Sequence, residues 1–422
     1  MKNKIIIFQI ILLFCIGIEA KTQQITPISY REYMDKVSKG NIEYAAEKLN
    51  VNISEAEIIA AKVFNDVSLG VSYFNNSNWS MQMGQGGEVE LSKTFTFGTR
   101  KARVKLAQSE KALTEALLAD YFRNLQAEAT IAFLEAIKQN ELHKLLQDSY
   151  EKIKALAISD SIRHALGEIT KVDAMQSRLE ADLLHNELLQ SETELLSAFA
   201  YLNLLTGTSI LAGVLQPSAN LQMPSRDFAL IHLISTALEN RTDIVAAMRN
   251  KEVAARAISL VKHERSPEIE LFIAANRNAR VLNEEAPAPA FTGFAAGVAI
   301  PLKFSALNKG EITAARIRQQ QADMQYQQVE LQIQTEVMQS YQRYQSLSQQ
   351  VKRYEESLLE NARQVVDGKL FSYTRGEVSL LEVLDAQRTY NDVQAQYIET
   401  LFSHGAALVE LETSVGIWDV VM

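Results

Sequence analysis

The sequence predicts a mainly helical chain with a small β part, built as two copies of one unit. Among 422 residues there are only 17 Gly and 7 Pro, and two stretches, 99–166 and 311–367, contain neither over 68 and 57 positions. These residues interrupt regular structure, so long helices are the default between them. A doubly wound or sandwich fold needs a turn roughly every ten to fifteen residues. The repeat is the other observation: Gly167-Glu168-Ile169-Thr170 returns 209 positions later as Gly376-Glu377-Val378-Ser379, and Gly207 returns as Gly416. Upstream, Val89, Leu91 and Phe95 fall on Val298, Ile300 and Phe304, while Gly98 and Gly310 open the two long helices.

The elements follow in order. Lys2 and Lys4, an apolar run from Ile5 to Ile18, then Glu19 and Ala20 have the layout of a secretory signal peptide over 1–20. Cleavage after Ala20 removes Cys15, the one cysteine, which excludes disulfides and thiolate chemistry from the mature chain. The bulky Phe14 argues against a lipid anchor on Cys15. No later apolar run reaches the roughly twenty residues of a membrane helix, so only strands are available to cross a bilayer. A net charge of −9 disfavours nucleic acid as a partner.

The first unit, 21–216, reads as helix, two strands, very long helix, tight turn and second helix. The second, 217–422, repeats that order after a join between Pro217 and Pro224. Strands show alternation of period two. Val67, Leu69, Val71 and Tyr73 form one apolar row and Val89 with Leu91 another; Ile269, Leu271 and Ile273, then Phe294, Ala296, Val298 and Ile300, do the same in the second copy. Glu88, Glu90, Glu268 and Glu270 alternate with them. If the apolar rows face lipid, these acids face a lumen, and cation preference follows. An ordinary soluble hairpin with one buried face fits the same pattern.

The helices favour an extended assembly. At about 1.5 Å per residue the stretch 311–367 would span about 85 Å, which no compact domain requires. Apolar stripes at Val172, Met175 and Leu179, and at Tyr390, Val393, Tyr397 and Leu401, call for partner helices. The segment 318–351 carries 13 Gln; it reads as a solvated face or as a duct lining. Four strands cannot close a barrel, and an open edge in lipid costs several kcal/mol per unpaired backbone group. Eight strands give a barrel filled by its own side chains. Three chains, with twelve strands, are then the smallest symmetric closure with room for a pore.

At this point the residues resemble the TolC-like outer-membrane efflux proteins, over nearly the whole mature chain from about Ser29 to Gly416. The most specific part is Tyr373-Thr374-Arg375-Gly376-Glu377-Val378-Ser379-Leu380-Leu381-Glu382-Val383-Leu384-Asp385-Ala386, which is similar to the family's second helix-turn-helix at the periplasmic tip. The segment from Gly167 to Arg178 is its paired copy. The resemblance implies a homotrimer in the outer membrane, with a 12-stranded barrel continued by a tunnel of long antiparallel coiled-coil helices into the periplasm. It implies a passive duct, driven by an inner-membrane efflux pump and bridged by a periplasmic adaptor protein.

By the same resemblance Asp173, Glu382 and Asp385 narrow the closed periplasmic aperture, where packed carboxylates would raise one another's pKa and attract cations. Helix first turns favour acids in any case. Tyr373 matches a family gate tyrosine, whereas Val378 stands where some relatives carry an arginine of a polar lock. The turns 164–170 and 373–379, with Gly167, Glu168, Gly376 and Glu377, match the family's adaptor contact. The expected lipid-facing residues are Val67, Leu69, Val71, Val89, Leu91, Ile269, Leu271, Ile273, Val298 and Ile300.

Catalytic readings are weak. His143, His164, His185, His232, His263 and His404 lack the close spacing of a helical metal site. Gly84-Gln85-Gly86-Gly87 lacks the Lys and Ser/Thr of a phosphate loop. No enzymatic activity, cofactor or resident metal is expected. The sequence leaves three functions open: an export duct for small molecules or metal ions, a duct for secreted polypeptides, and a non-conducting exported coiled-coil scaffold.

Overall fold

The computed structural model describes residues 25–76, 78–223, 225–301 and 307–419. The leader with Cys15, and Pro224 and Phe304, lie outside them. The order is β1 (Ile25–Ile28), α1 (Tyr30–Gly40), α2 (Ile42–Ala61), β2 (Val67–Asn75), β3 (Gln85–Phe95), α3 (Thr99–Ala165), α4 (Lys171–Leu205), a 3-10 turn (Ile210–Ala212) and β4 (Val214–Pro217). Then come α5 (Leu230–Asn240), α6 (Thr242–His263), β5 (Ile269–Asn278), β6 (Phe291–Ala299), α7 (Leu307–Arg353), a π-helical turn (Tyr354–Leu358), α8 (Leu359–Thr374) and α9 (Leu380–Val415). The chain is mainly helical with a small β part.

Local chemistry explains where the long helices end. Gly167 and Gly376 adopt φ of 80° and 75°, conformations that cost a side-chain-bearing residue about 1–2 kcal/mol. Each lets the next amide reach back: Glu168 N–H to Arg163 O and Glu377 N–H to Ser372 O, at 2.9 and 3.0 Å. Three residues later a capping box starts the returning helix, Thr170 with Asp173 for α4 and Ser379 with Glu382 for α9.

Several features differ from the sequence reading. The first helix of each half is broken in two. Buried Asn41 separates α1 from α2, donating to Leu205 O at 3.0 Å and accepting from Tyr44 N–H at 2.8 Å. In the second half Arg241 has an extended backbone between α5 and α6 and is paired with Asp243. The helix expected over 311–367 starts earlier, so Gly310 lies inside α7, and a π turn interrupts it at Tyr354–Leu358. There are also two strands beyond the four expected: β1 and β4 pair in parallel, with Pro217 in β4 opposite Ile28.

Contacts divide the chain into two compact units. One takes the stretch up to Ala45, Tyr121–Asn240 and Ile333 onward; the other takes Ala46–Asp120 and Arg241–Gln332. Each half of the sequence contributes to both units. In the first, Phe133 of α3 is fully buried between Tyr30 and Tyr33, with ring centroids at 5.5 and 5.2 Å; truncating such a side chain costs about 3–5 kcal/mol. In the second unit the four longer strands form one antiparallel sheet in the order β2-β3-β5-β6, so the two hairpins join through β3 and β5.

Candidate functional site: a barrel stave and a helical tip

Register sorts the residues of the sheet onto two faces. Leu69 pairs with Leu91, Leu91 with Ile273 and Leu271 with Val298, while Val71 pairs with Val89 and Phe95 with Ile269. Directly paired residues share a face, so Val67, Leu69, Val71, Val89, Leu91, Ile269, Leu271, Ile273 and Val298 lie together. Most of this face is open: Leu69 is 65% and Val71 73% exposed. The opposite face carries Glu88, Glu90 and Glu270 among Ser68, Gly70, Ser72 and Asn276. There Phe272 lies opposite Gly297, where an added Cβ would approach its ring to 2.4 Å. Two expected members fall just outside the strands: Glu268 precedes β5 and Ile300 follows β6. At the sheet's edges, β2 and β6 each have one side without a strand neighbour among the described residues.

The helical tip belongs to the other unit. Around the two turns, Ile153 and Ala157 of α3 and Ala181 and Leu184 of α4 pack with Tyr373 of α8 and Leu380, Val383 and Leu384 of α9. Tyr373 is buried and donates its phenol to Asp160 Oδ1 at 3.0 Å. Asp160 is fully buried, and its Oδ2 has no hydrogen-bond partner among the described residues. Arg163 faces both groups, 3.8 Å from Asp160 Oδ1 and 5.0 Å from the Tyr373 ring centroid. Burial, then the Asp160 carboxylate, push the Tyr373 phenol up to about 12. Higher along the helices, Arg388 of α9 pairs with Glu180 of α4, Ser149 of α3 donates to Asn391 of α9 at 2.9 Å, and Lys138 meets Glu399 at 3.2 Å.

Asp173 and Glu382 are each occupied as the third residue of a capping box, and Glu382 also takes Lys369 at 2.7 Å. Lys369 and the cap hold the Glu382 carboxyl below its ordinary range. Within one chain this is opposite to the rise expected from packed like charges, because the nearest group is a cation. Asp385 is exposed. Among the described residues no three His, Cys, Asp or Glu converge as a metal site, so one chain does not gather these acids. At the turns, Glu168 meets Arg163 at 3.3 Å and Glu377 meets Arg375 at 4.0 Å. Asp160, Arg163, Lys369, Glu180 and Arg388 were not singled out from sequence. Their partners lie on other elements, and the Asp160–Arg163 spacing of three is the one local signal.

The chain matches a family described as outer membrane efflux protein over residues 233–417. It is 24% identical over 379 residues to the cobalt-zinc-cadmium resistance protein CzcC of Cupriavidus metallidurans, covering 89% of this chain and 87% of that protein. The second half of the chain, then, is similar to the outer membrane efflux proteins. The chain's fold is shared with solved outer-membrane channels. CusC superposes with a TM-score of 0.75 at 18% identity, over 92% of both chains. The CmeC channel of Campylobacter jejuni superposes with a TM-score of 0.76 at 13% identity, over 92% of this chain and 85% of that one. An efflux channel of the outer membrane extending into the periplasm accounts for a sheet with an exposed apolar face and for the long helices. No helix among the described residues is long and apolar enough to cross a membrane.

Proposed function

We propose that three copies of this chain form a passive exit duct, and that the two halves 21–216 and 217–422 arose as repeats of one unit. The observation that carries the duct is the sheet. It exposes a broad apolar face and, among the described residues, leaves β2 and β6 without a neighbour on one side. In lipid those edges need partners, since unpaired backbone groups cost several kcal/mol each. Three copies of a four-stranded sheet make twelve strands. The row with Val67, Leu69, Val89, Leu271 and Val298 then meets lipid, together with Ile300 at its margin, and Glu88, Glu90 and Glu270 meet the lumen, with Glu268 at its rim.

At the periplasmic end the α8–α9 hairpin is held to α3 by Tyr373 and Asp160. Asp173, Glu382 and Asp385 narrow and polarise the aperture. The turns at Gly167-Glu168 and Gly376-Glu377 receive a periplasmic adaptor that connects to an inner-membrane pump. Cargo is small molecules or metal ions; CzcC, a cobalt-zinc-cadmium resistance protein by its description, supports the metal cation. A passive duct needs no binding site for it. Fractionation of outer membranes followed by chemical cross-linking should recover a three-chain species, which should conduct ions in planar bilayers. A single-chain species, monodisperse in aqueous buffer with no affinity for vesicles, would overturn this function.

A further inference from the structure

We propose that the sheet end from which α3 departs binds the phosphate of a phospholipid headgroup in the periplasmic leaflet, through Lys93, Arg100 and Arg103. This rests on the reading of the apolar sheet face as lipid-facing. Lys93 pairs with Val67 on one side and Leu271 on the other, so a lysine interrupts the apolar row between Leu91 and Phe95. It is half-buried and stands one step before Phe95, the last apolar member of that row, with its ammonium 5.7 Å from the Phe95 centroid. Arg100 lies 4.0 Å over the ring of Phe64 and donates to the Lys62 carbonyl at 3.0 Å. These two cations and Arg103 line one cavity of about 80 Å³, with Val63, Phe64 and Phe95 on its walls.

None of the three has a carboxylate within ion-pair distance among the described residues. In a chain with 51 acidic against 42 basic residues, three cations converging on one cavity without an acid form a positive site that favours an anion. The first turn of α3 supplies no acid either, and its helix dipole adds positive potential there. The surroundings select the anion. Aromatic side chains such as exposed Phe64, Phe95 and Phe97 settle at headgroup depth. A lysine on an apolar face extends its charged end toward the same layer. Arginine pairs with phosphate through two parallel N–H donors, and basic pockets at a membrane boundary hold anionic headgroups. A lipid phosphate places its charge in the cavity and its acyl chains along the Leu91, Val67 and Leu271 face, which a free ion cannot do.

The test is native mass spectrometry of the assembled full-length channel released from detergent, after incubation with phosphatidylglycerol, with diacylglycerol of the same chains, or with inorganic phosphate. Wild type should retain phosphatidylglycerol and not diacylglycerol. The variant K93Q/R100Q/R103Q should retain at least about tenfold less, R100K a few-fold less, and R280Q, at the far end of the sheet, as much as wild type. Retention by the triple variant equal to wild type overturns the site. So does displacement of the lipid by millimolar phosphate, which would mark a free-anion site. Should the triple variant not assemble, R100K against R280Q decides by itself, since equal retention by those two overturns the site. Failure of wild type to enter membranes at all would instead sink the barrel reading.

Discussion

The phenol of Tyr373 donates to fully buried Asp160 at 3.0 Å, joining α8 to α3 across 213 residues of sequence. A buried carboxylate that loses a donor keeps its desolvation cost, and a hydrogen bond to a charged group is worth about 1.5–3 kcal/mol. Arg163 then remains as its nearest cation, at 3.8 Å. Y373F should therefore shift the closed-to-open ratio of reconstituted channels toward open by roughly 10- to 150-fold. D160N, which keeps an acceptor but removes the buried charge, should shift it less. Because burial pushes the phenol up to about 12, the wild-type link keeps its proton between pH 5 and 9 and its open fraction should be flat there. Single-channel recording checks all three; Y373F currents equal to wild type would remove this link from the gate.

Leu69 and Leu271 test the orientation of the sheet. Both lie on the exposed apolar face, in register with Leu91 and Val298 respectively. In the proposed orientation a lysine or arginine there faces hydrocarbon, at a cost of roughly 2–4 kcal/mol near the midplane, falling toward the interfaces. L69K and L271K should lower the amount of assembled channel in outer membranes, whereas E90Q, on the opposite face, should assemble normally. Full assembly of both lysine variants in a quantitative blot would mean the faces are reversed.

The contrast between these two sites shows what sequence can carry. The strand faces depend on alternation within a single segment, so the rows at Val67–Tyr73 and Val89–Leu91 are readable before any partner is known. The hairpin ends are equally local: Gly167 with Thr170 and Asp173, and Gly376 with Ser379 and Glu382, each carry the glycine and the capping residues within seven positions. Asp160 is different. It is one acid in a charged helix until Tyr373 arrives from the other hairpin. The break at Asn41 also depends on a distant partner, the Leu205 carbonyl, and β1 and β4 are four residues each, too short for alternation to register. Gln-rich composition gave no sign of the π turn at Tyr354–Leu358.

Glu412 near the end of α9 links pH to stability. It is almost fully buried, faces Arg226 at 3.3 Å, accepts from the Asp419 amide at 3.3 Å, and acts on the phenol of Tyr30. Burial, then the Asp419 carboxylate, raise it to about 8, while Asp419 itself is lowered, first by its hydrogen bond with Glu412. A carboxyl raised by folding binds its proton more tightly in the native state. Its contribution is complete below the unfolded value near 4.5 and is lost as pH rises toward 8, with a slope approaching about 1.4 kcal/mol per pH unit. Thermal unfolding of the purified channel should weaken across that window, and E412Q should flatten the profile. An unchanged slope in E412Q would place the titrating group elsewhere.

The acids proposed for the aperture, Asp173, Glu382 and Asp385, make the most demanding prediction, because two of them already serve the backbone. Asp173 and Glu382 accept from the amides of Thr170 and Ser379, and Glu382 also pairs with Lys369. Asn and Gln retain an acceptor for those amides but not the charge, so D173N/E382Q/D385N should keep most of its helix capping, with a loss of about 1 kcal/mol or less per cap. In a closed three-chain aperture the same substitutions remove every carboxylate of this set at once. Reconstituted channels should then conduct more, or lose preference for cations over anions, as reversal potentials in a salt gradient would show. E382Q alone frees Lys369 and should move selectivity furthest of the single changes. Currents and reversal potentials indistinguishable from wild type in the triple variant, with thermal stability preserved, would leave these three acids as helix caps and surface charge alone.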